Sequence, residues 1–264
     1  MMKPQKHRPL RFLPALLLAC IAVLPARAQE PAKSPEPAKT PGEMPPIEKI
    51  SDGVMKIGEV TLDKNRMTVS FPGSVNMDHG EVEYLLVQEG GKTHESLLAT
   101  KALPFHVHVA MLLLGAKIPP QADVQPPPSA ISAAYLKNAP KPKGPDVMIF
   151  VRWVEDGKTV AVHAEDLIND DATKNPMSRG PWVYNGSMVN RGVFLAQADR
   201  SIAALVIDPS ALVNNERPDS NNDKVWSVAK EKIPKAGTAV EISIQLQADD
   251  AKPDSKASPP SEPK

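Results

Sequence analysis

GEVEYLLVQEGGKTHESLLATKALPFHVHVAMLLLG, residues Gly80–Gly115, decides how the chain folds. Val82–Val87 is apolar apart from Glu83 and predicts a strand. Glu89-Gly90-Gly91 breaks it, because paired glycines permit φ > 0 and a sharp turn. Lys92, His94, Glu95 and Ser96 follow as a polar segment. Pro104 then opens a helix and Gly115 closes it. Val107, Ala110, Met111 and Leu114 recur at helical spacing, and Leu112 and Leu113 widen the apolar face nearly all round. The pattern predicts a buried helix.

Outward from this stretch the dominant period is two. Met55–Leu62 and Arg66–Phe71 read as strands. Asp146–Ile168 reads as a hairpin about Asp156-Gly157, a pair that favours a primed turn. Pro181–Val189 and Val193–Ile207 supply further strands. Thr238–Gln247 alternates Val240, Ile242, Ile244 and Leu246 against polar residues. Helix is expected only at Pro104–Gly115 and Ser129–Leu136. Between them Ile118–Pro128 holds five prolines, so residues 119–146 read as a long Pro-rich surface loop. The expected fold is α+β, mainly antiparallel β with one buried central helix.

The ends read differently. Lys3, Lys6, Arg8 and Arg11 precede the apolar run 12–24, which closes at Ala26-Arg27-Ala28: a secretory leader over residues 1–28. The run is too short for a membrane span, so none is expected. Leu17-Leu18-Ala19-Cys20 permits a lipoprotein anchor at Cys20 as the alternative. Residues 29–46 and 248–264 are Pro-rich and poor in large apolar residues, and read as a disordered linker and tail. The body spans 47–247, enough for one domain. Removing residues 1–28 leaves 26 basic against 31 acidic residues, a net −5. That charge, without a basic stripe, argues against nucleic acid. Cys20 is the single cysteine, so a processed chain has no disulfide, thiolate ligand or Cys nucleophile.

Three segments resemble the YdjY domain of bacterial envelope proteins. They are residues 80–115, above all the GK-x-HES run at 91–96, then WVYNGS at 182–187 and ALVIDPSAL at 204–212. The resemblance covers roughly residues 47–247. It implies an envelope compartment, periplasmic or secreted, and no defined activity. Some members carry a ferredoxin-like label, but this chain lacks the cysteines for an iron–sulfur cluster.

Carried over from that resemblance, the candidate ligand-binding residues are Lys92, His94, Glu95, Ser96 and His106, with Tyr184, Asn185 and Ser187 as a second group. His94, Glu95, His106 and His108 are also metal candidates for zinc or another divalent ion. Against them, His106 and His108 are two apart on a helix and face different sides. Other motifs are incomplete. Gly90-Gly91-Lys92-Thr93 lacks the first glycine of a phosphate loop. Ser227-Val228-Ala229-Lys230 lacks the partners of an S-x-x-K nucleophile. Asp219–Asp223 begins like a calcium loop but places Lys224 and Lys230 where Gly and Glu belong. The expectation is an exported envelope protein, a non-catalytic binding or structural module without a cofactor, its partner an envelope component or small ligand. The alternative is a metal-dependent enzyme built on His94 and Glu95.

Overall fold

A computed structural model describes residues 45–120 and 133–248. The expected leader lies outside them, as do residues 29–44 of the linker, 121–132 of the Pro-rich loop and 249–264 of the tail. The strands are β1 Ile47–Ser51, β2 Val54–Ile57, β3 Val60–Asp63, β4 Thr68–Val75, β5 Tyr84–Gln88 and β6 Ser96–Thr100. After these come β7 Asp146–Glu155, β8 Lys158–His163, β9 Ile168–Asp170, β10 Asn175–Pro176 and β11 Trp182–Tyr184. Last are β12 Val189–Asn190, β13 Val193–Phe194, β14 Ser201–Ala204, β15 Val213–Asn214, β16 Trp226–Val228 and β17 Ala239–Leu246. The helices are α1 Pro104–Leu114, α2 Ala133–Asn138 and α3 Leu195–Asp199.

Following the pairings from β4 through β17, β7, β11, β15, β14, β5 and β6 leads back to β4, so eight strands close into a barrel. Strands β1–β3 extend it beyond β4, and β8 pairs with β7. Closure removes the open edge that an eight-stranded sheet would otherwise present. Two of the pairings around the ring, β5–β6 and β14–β15, are parallel.

The barrel corrects the expected α+β class with a central helix: the chain is mainly β. Helix α1 begins at Pro104 and ends at Gly115 in the left-handed region (φ 100°), as its sequence predicts. It lies against β3, β4 and α3. Val107, Ala110, Met111 and Leu114 are buried, but Leu112 is 45% exposed. Its run of leucines is therefore covered on one side only.

The core follows the period-two strands. Phe71, Ile242 and Val151 lie side by side on β4, β17 and β7, as do Val69, Ile244 and Ile149. All six are buried in one apolar cluster that also holds the inner residues of α1. Each such side chain contributes roughly 1.5–3 kcal/mol on leaving water. The β7–β8 hairpin turns at Asp156 and Gly157 with φ 50° and 72°, the primed turn expected there.

Strand β6 was not anticipated. All five of its residues are buried, so it shows no alternation. It runs parallel to β5, and the chain must double back between the two strands in seven residues, 89–95. That return explains the glycines. Gly90 has φ 78°, and a Cβ there would strike the Arg200 guanidinium; on Gly91 it would lie 2.9 Å from Arg200 Cβ and 3.0 Å from Gln88 O.

Candidate functional site

The return loop carries Lys92–Glu95 back alongside β5. Asn76 fastens it from below, its Nδ2 donating to Thr93 O and to Ser96 O, each at 2.6 Å. Ser96 Oγ donates to Lys92 O (2.6 Å). Lys92 is thereby set against Tyr84. Its Nζ donates to the Tyr84 hydroxyl and stands 3.6 Å from Asp208 Oδ2. Tyr84 O–H in turn donates to Asp208 Oδ2 (2.8 Å).

Asp208 is buried, and the segment around it is held on every side. Ser210 N–H donates to Asp208 Oδ1 (2.8 Å). Asn214 Oδ1 accepts from Asp208 N–H, and Asn214 Nδ2 donates to Asp208 O and to Asn185 Oδ1. Asn185 Nδ2 donates to the carbonyls of Pro209 and Ala211. Ser187 Oγ donates to Ser210 O and accepts from Ala196 N–H. Residues from all three family-like segments thus meet in one buried polar network. Burial first, then the Asp208 charge, pushes the Tyr84 phenol far above its ordinary value, so it acts as a donor and not as a base.

The nominated residues divide accordingly. Ser96, Asn185 and Ser187 are buried and their recorded hydrogen bonds hold the frame. Lys92 is at the rim, one-third exposed. Tyr184 shares a 2.8 Å hydrogen bond with His108 Nδ1, and burial pushes its phenol up. The metal candidates are drawn apart. His94 is 78% exposed beside Glu95. His106 is buried near Gly58, whose Cβ would lie 2.6 Å from its Nδ1. His108 packs on Phe194 and Tyr184. Among the described residues no three His, Cys, Asp or Glu side chains are grouped to hold an ion.

The sequence reading missed Tyr84 and Asp208 as site residues, and also a cleft beside them. Residues 136–141, at and beyond the end of α2, and 216–221 border an open cleft of about 460 Å³, lined by Leu136, Lys141, Ile207, Glu216 and Asp219. That volume suits a small ligand. Ile207 is tied across it, its N–H donating to Ser220 O (2.8 Å). Arg217 forms the inner wall and points away. Its guanidinium pairs with the fully buried Glu165 (2.6 Å) and donates to the carbonyls of Ser178, Gly180 and Pro181. Burial, then the Asp146 charge, pushes the Glu216 carboxyl up, while Lys141 opposes.

No helix of the described residues is long and apolar enough to cross a membrane. No curated protein and no solved structure matches the chain. The family model of the YdjY domain matches residues 60–245, a span that takes in the whole barrel but its last residue, the network and the inner walls of the cleft. The chain belongs to the YdjY domain family.

Proposed function

We propose that the chain is an exported cell-envelope protein whose barrel is a non-catalytic binding module, and that the cleft between α2 and residues 216–221 takes a small polar ligand. The observation that carries this reading is the cleft's construction. Ile207 stands next to Asp208 of the buried Tyr84–Asp208–Asn214–Asn185 network, and Arg217 is held by its pair with Glu165. On that side of the cleft a ligand binds without first ordering the wall. Lys141, Glu216 and Asp219 offer both charge signs above the apolar Leu136 and Ile207, a set suited to a ligand with an amine and a carboxylate. The leader pattern of residues 1–28, a basic stretch, an apolar run and Ala26-Arg27-Ala28, supports the envelope assignment.

The test is an NMR titration of the full chain with alanylalanine, putrescine and succinate. Shifts confined to residues 136–141 and 216–221, lost in Glu216→Gln, support the reading. No response to any of the three, or shifts centred on His94, overturns it. Intact mass after cell fractionation checks export. Loss of residues 1–28 is expected, lipid on Cys20 indicates the anchored form, and an unprocessed cytosolic chain refutes it.

A further inference from the structure

The cleft bordered by residues 136–141 and 216–221 holds polar groups that the fold leaves unpaired. Its ionisable lining residues are Lys141, Glu216, Arg217 and Asp219. Arg217 is engaged with Glu165, so two carboxylates and one amine remain. None of these three side chains has a hydrogen-bond or ion-pair partner among the described residues. The cleft therefore carries an excess of one negative charge.

Ser220 is the fourth such group. It is 8% exposed, yet it lines the cleft. Its hydroxyl has no partner among the described residues and, unlike the Ser210 hydroxyl, is not sealed from solvent. A hydroxyl buried to that degree is ordinarily bonded. The backbone of Ser220 is fixed in place: its N–H donates to Arg217 O (3.1 Å) and its carbonyl accepts from Ile207 N–H (2.8 Å). Pro218 and Asp219 form the middle of that turn, with Asp219 at φ 64°. Glycine or asparagine is usual at such a position; here it carries a carboxylate beside Ser220.

An ammonium group has three N–H donors, and two carboxylates with one hydroxyl supply three acceptors. Burial, then the Asp146 charge, pushes the Glu216 carboxyl up, and an incoming cation relieves that cost. A calcium ion would ask for about six to eight oxygen ligands, and among the described residues no three His, Cys, Asp or Glu side chains are grouped. Lys141 supplies the opposite charge, and Leu136 and Ile207 supply apolar lining.

We propose that Ser220, Glu216 and Asp219 seat the free ammonium of a short peptide whose carboxylate faces Lys141, and that Ser220 sets a preference for an unblocked amino end. The proposal rests on the cleft being the binding site and adds which end of the ligand each group reads.

The test is calorimetric titration of the full chain with alanylalanine, N-acetyl-alanylalanine and succinate. Alanylalanine should bind, and the acetylated peptide should bind at least about tenfold more weakly, the order expected for a hydrogen bond to a charged group. Ser220→Ala should weaken alanylalanine about tenfold and narrow the gap between the two peptides. Because its hydroxyl has no partner in the free chain, this variant should melt with the parent. Asp219→Asn, which suits the same backbone conformation, should weaken alanylalanine and not succinate. Equal affinity for the free and acetylated peptides overturns the proposal while leaving the cleft as a binding site. So does binding of succinate without alanylalanine. A lower melting temperature in Ser220→Ala gives the hydroxyl a structural partner and equally overturns it. If none of the three compounds binds, the cleft itself falls as the binding site.

Discussion

Asp208→Ala tests whether the family-like segments act as one frame. The carboxylate is buried and accepts from Tyr84 O–H and Ser210 N–H, each at 2.8 Å. Truncation strands both donors, and each buried unsatisfied donor costs about 1–3 kcal/mol. The Lys92 pair, one-third exposed, adds less than about 1 kcal/mol. A loss of about 4 kcal/mol is expected, a large share of the roughly 5–15 kcal/mol that holds a domain together. For a body of this size that lowers Tm by about 8–16 °C, read by circular dichroism. Tyr84→Phe in the Asp208→Ala background should add little, because the stranded hydroxyl is then gone. If the two losses simply add, or Asp208→Ala melts with the parent, the network is not a coupled frame. Tyr84 also sets an alkaline limit. Its phenol is raised in the folded chain, whereas the unfolded one ionises near about 10. The stability it confers is whole below that pH and is lost as pH rises above it. Tyr84→Phe should soften this decline.

Acid acts through His108. Burial lowers its imidazole to about 4, against about 6.5 unfolded. Its stabilisation is therefore intact above about pH 6.5 and falls away toward pH 4, by on the order of 2 kcal/mol after allowing for partial exposure. His108→Gln should flatten that limb in urea titrations at pH 7 and 4.5. Glu165→Ala leaves the Arg217 guanidinium buried without its carboxylate and should cost about 3–5 kcal/mol. Arg179→Ala, which breaks the more exposed pair with Asp166, should cost less than about 1 kcal/mol; equal melting shifts would contradict the reasoning from burial. Gly90→Ala should destabilise more than Gly157→Ala. Both glycines have positive φ, but only at Gly90 does the new Cβ meet a neighbour, Arg200. Equal losses would mean that the return loop tolerates the clash.

The parts of the fold legible in the sequence were those whose two faces differ. Strand β17 buries Val240, Ile242, Ile244 and Leu246 while Glu241 stays wet, so its letters alternate. The β7–β8 turn announces itself through Asp156-Gly157. Strand β6 is buried on both faces, and a doubly covered strand has no alternation to read. Its parallel pairing with β5 closes the barrel, yet parallel neighbours normally need a connection of a dozen or more residues. A seven-residue return argues against the pairing on length alone. Only the paired glycines hint at it, and paired glycines equally mark an ordinary turn. The helix was misplaced for a related reason. Composition shows that α1 is apolar nearly all round, but not whether protein covers each side, and Leu112 shows that it does not.

The candidate site turns on a different step, from residue type to partner. Ser96, Asn185 and Ser187 are nominated as polar members of the segments that resemble the family. A sequence displays the hydrogen-bonding capacity of a side chain and not its partner, and here the recorded partners are mostly main-chain groups near residues 92 and 208–211. Asp208 could have been found. It stands inside ALVIDPSAL, where six of the nine residues are aliphatic, so a fold that buries those neighbours tends to take the carboxylate with them. A buried carboxylate needs a cation or strong donors. Lys92 is the only cation in GK-x-HES, and Tyr84 stands one return loop earlier on β5. Pairing the most buried acid with the family-like cation, in place of grouping histidines by type, leads directly to the Lys92–Tyr84–Asp208 contact.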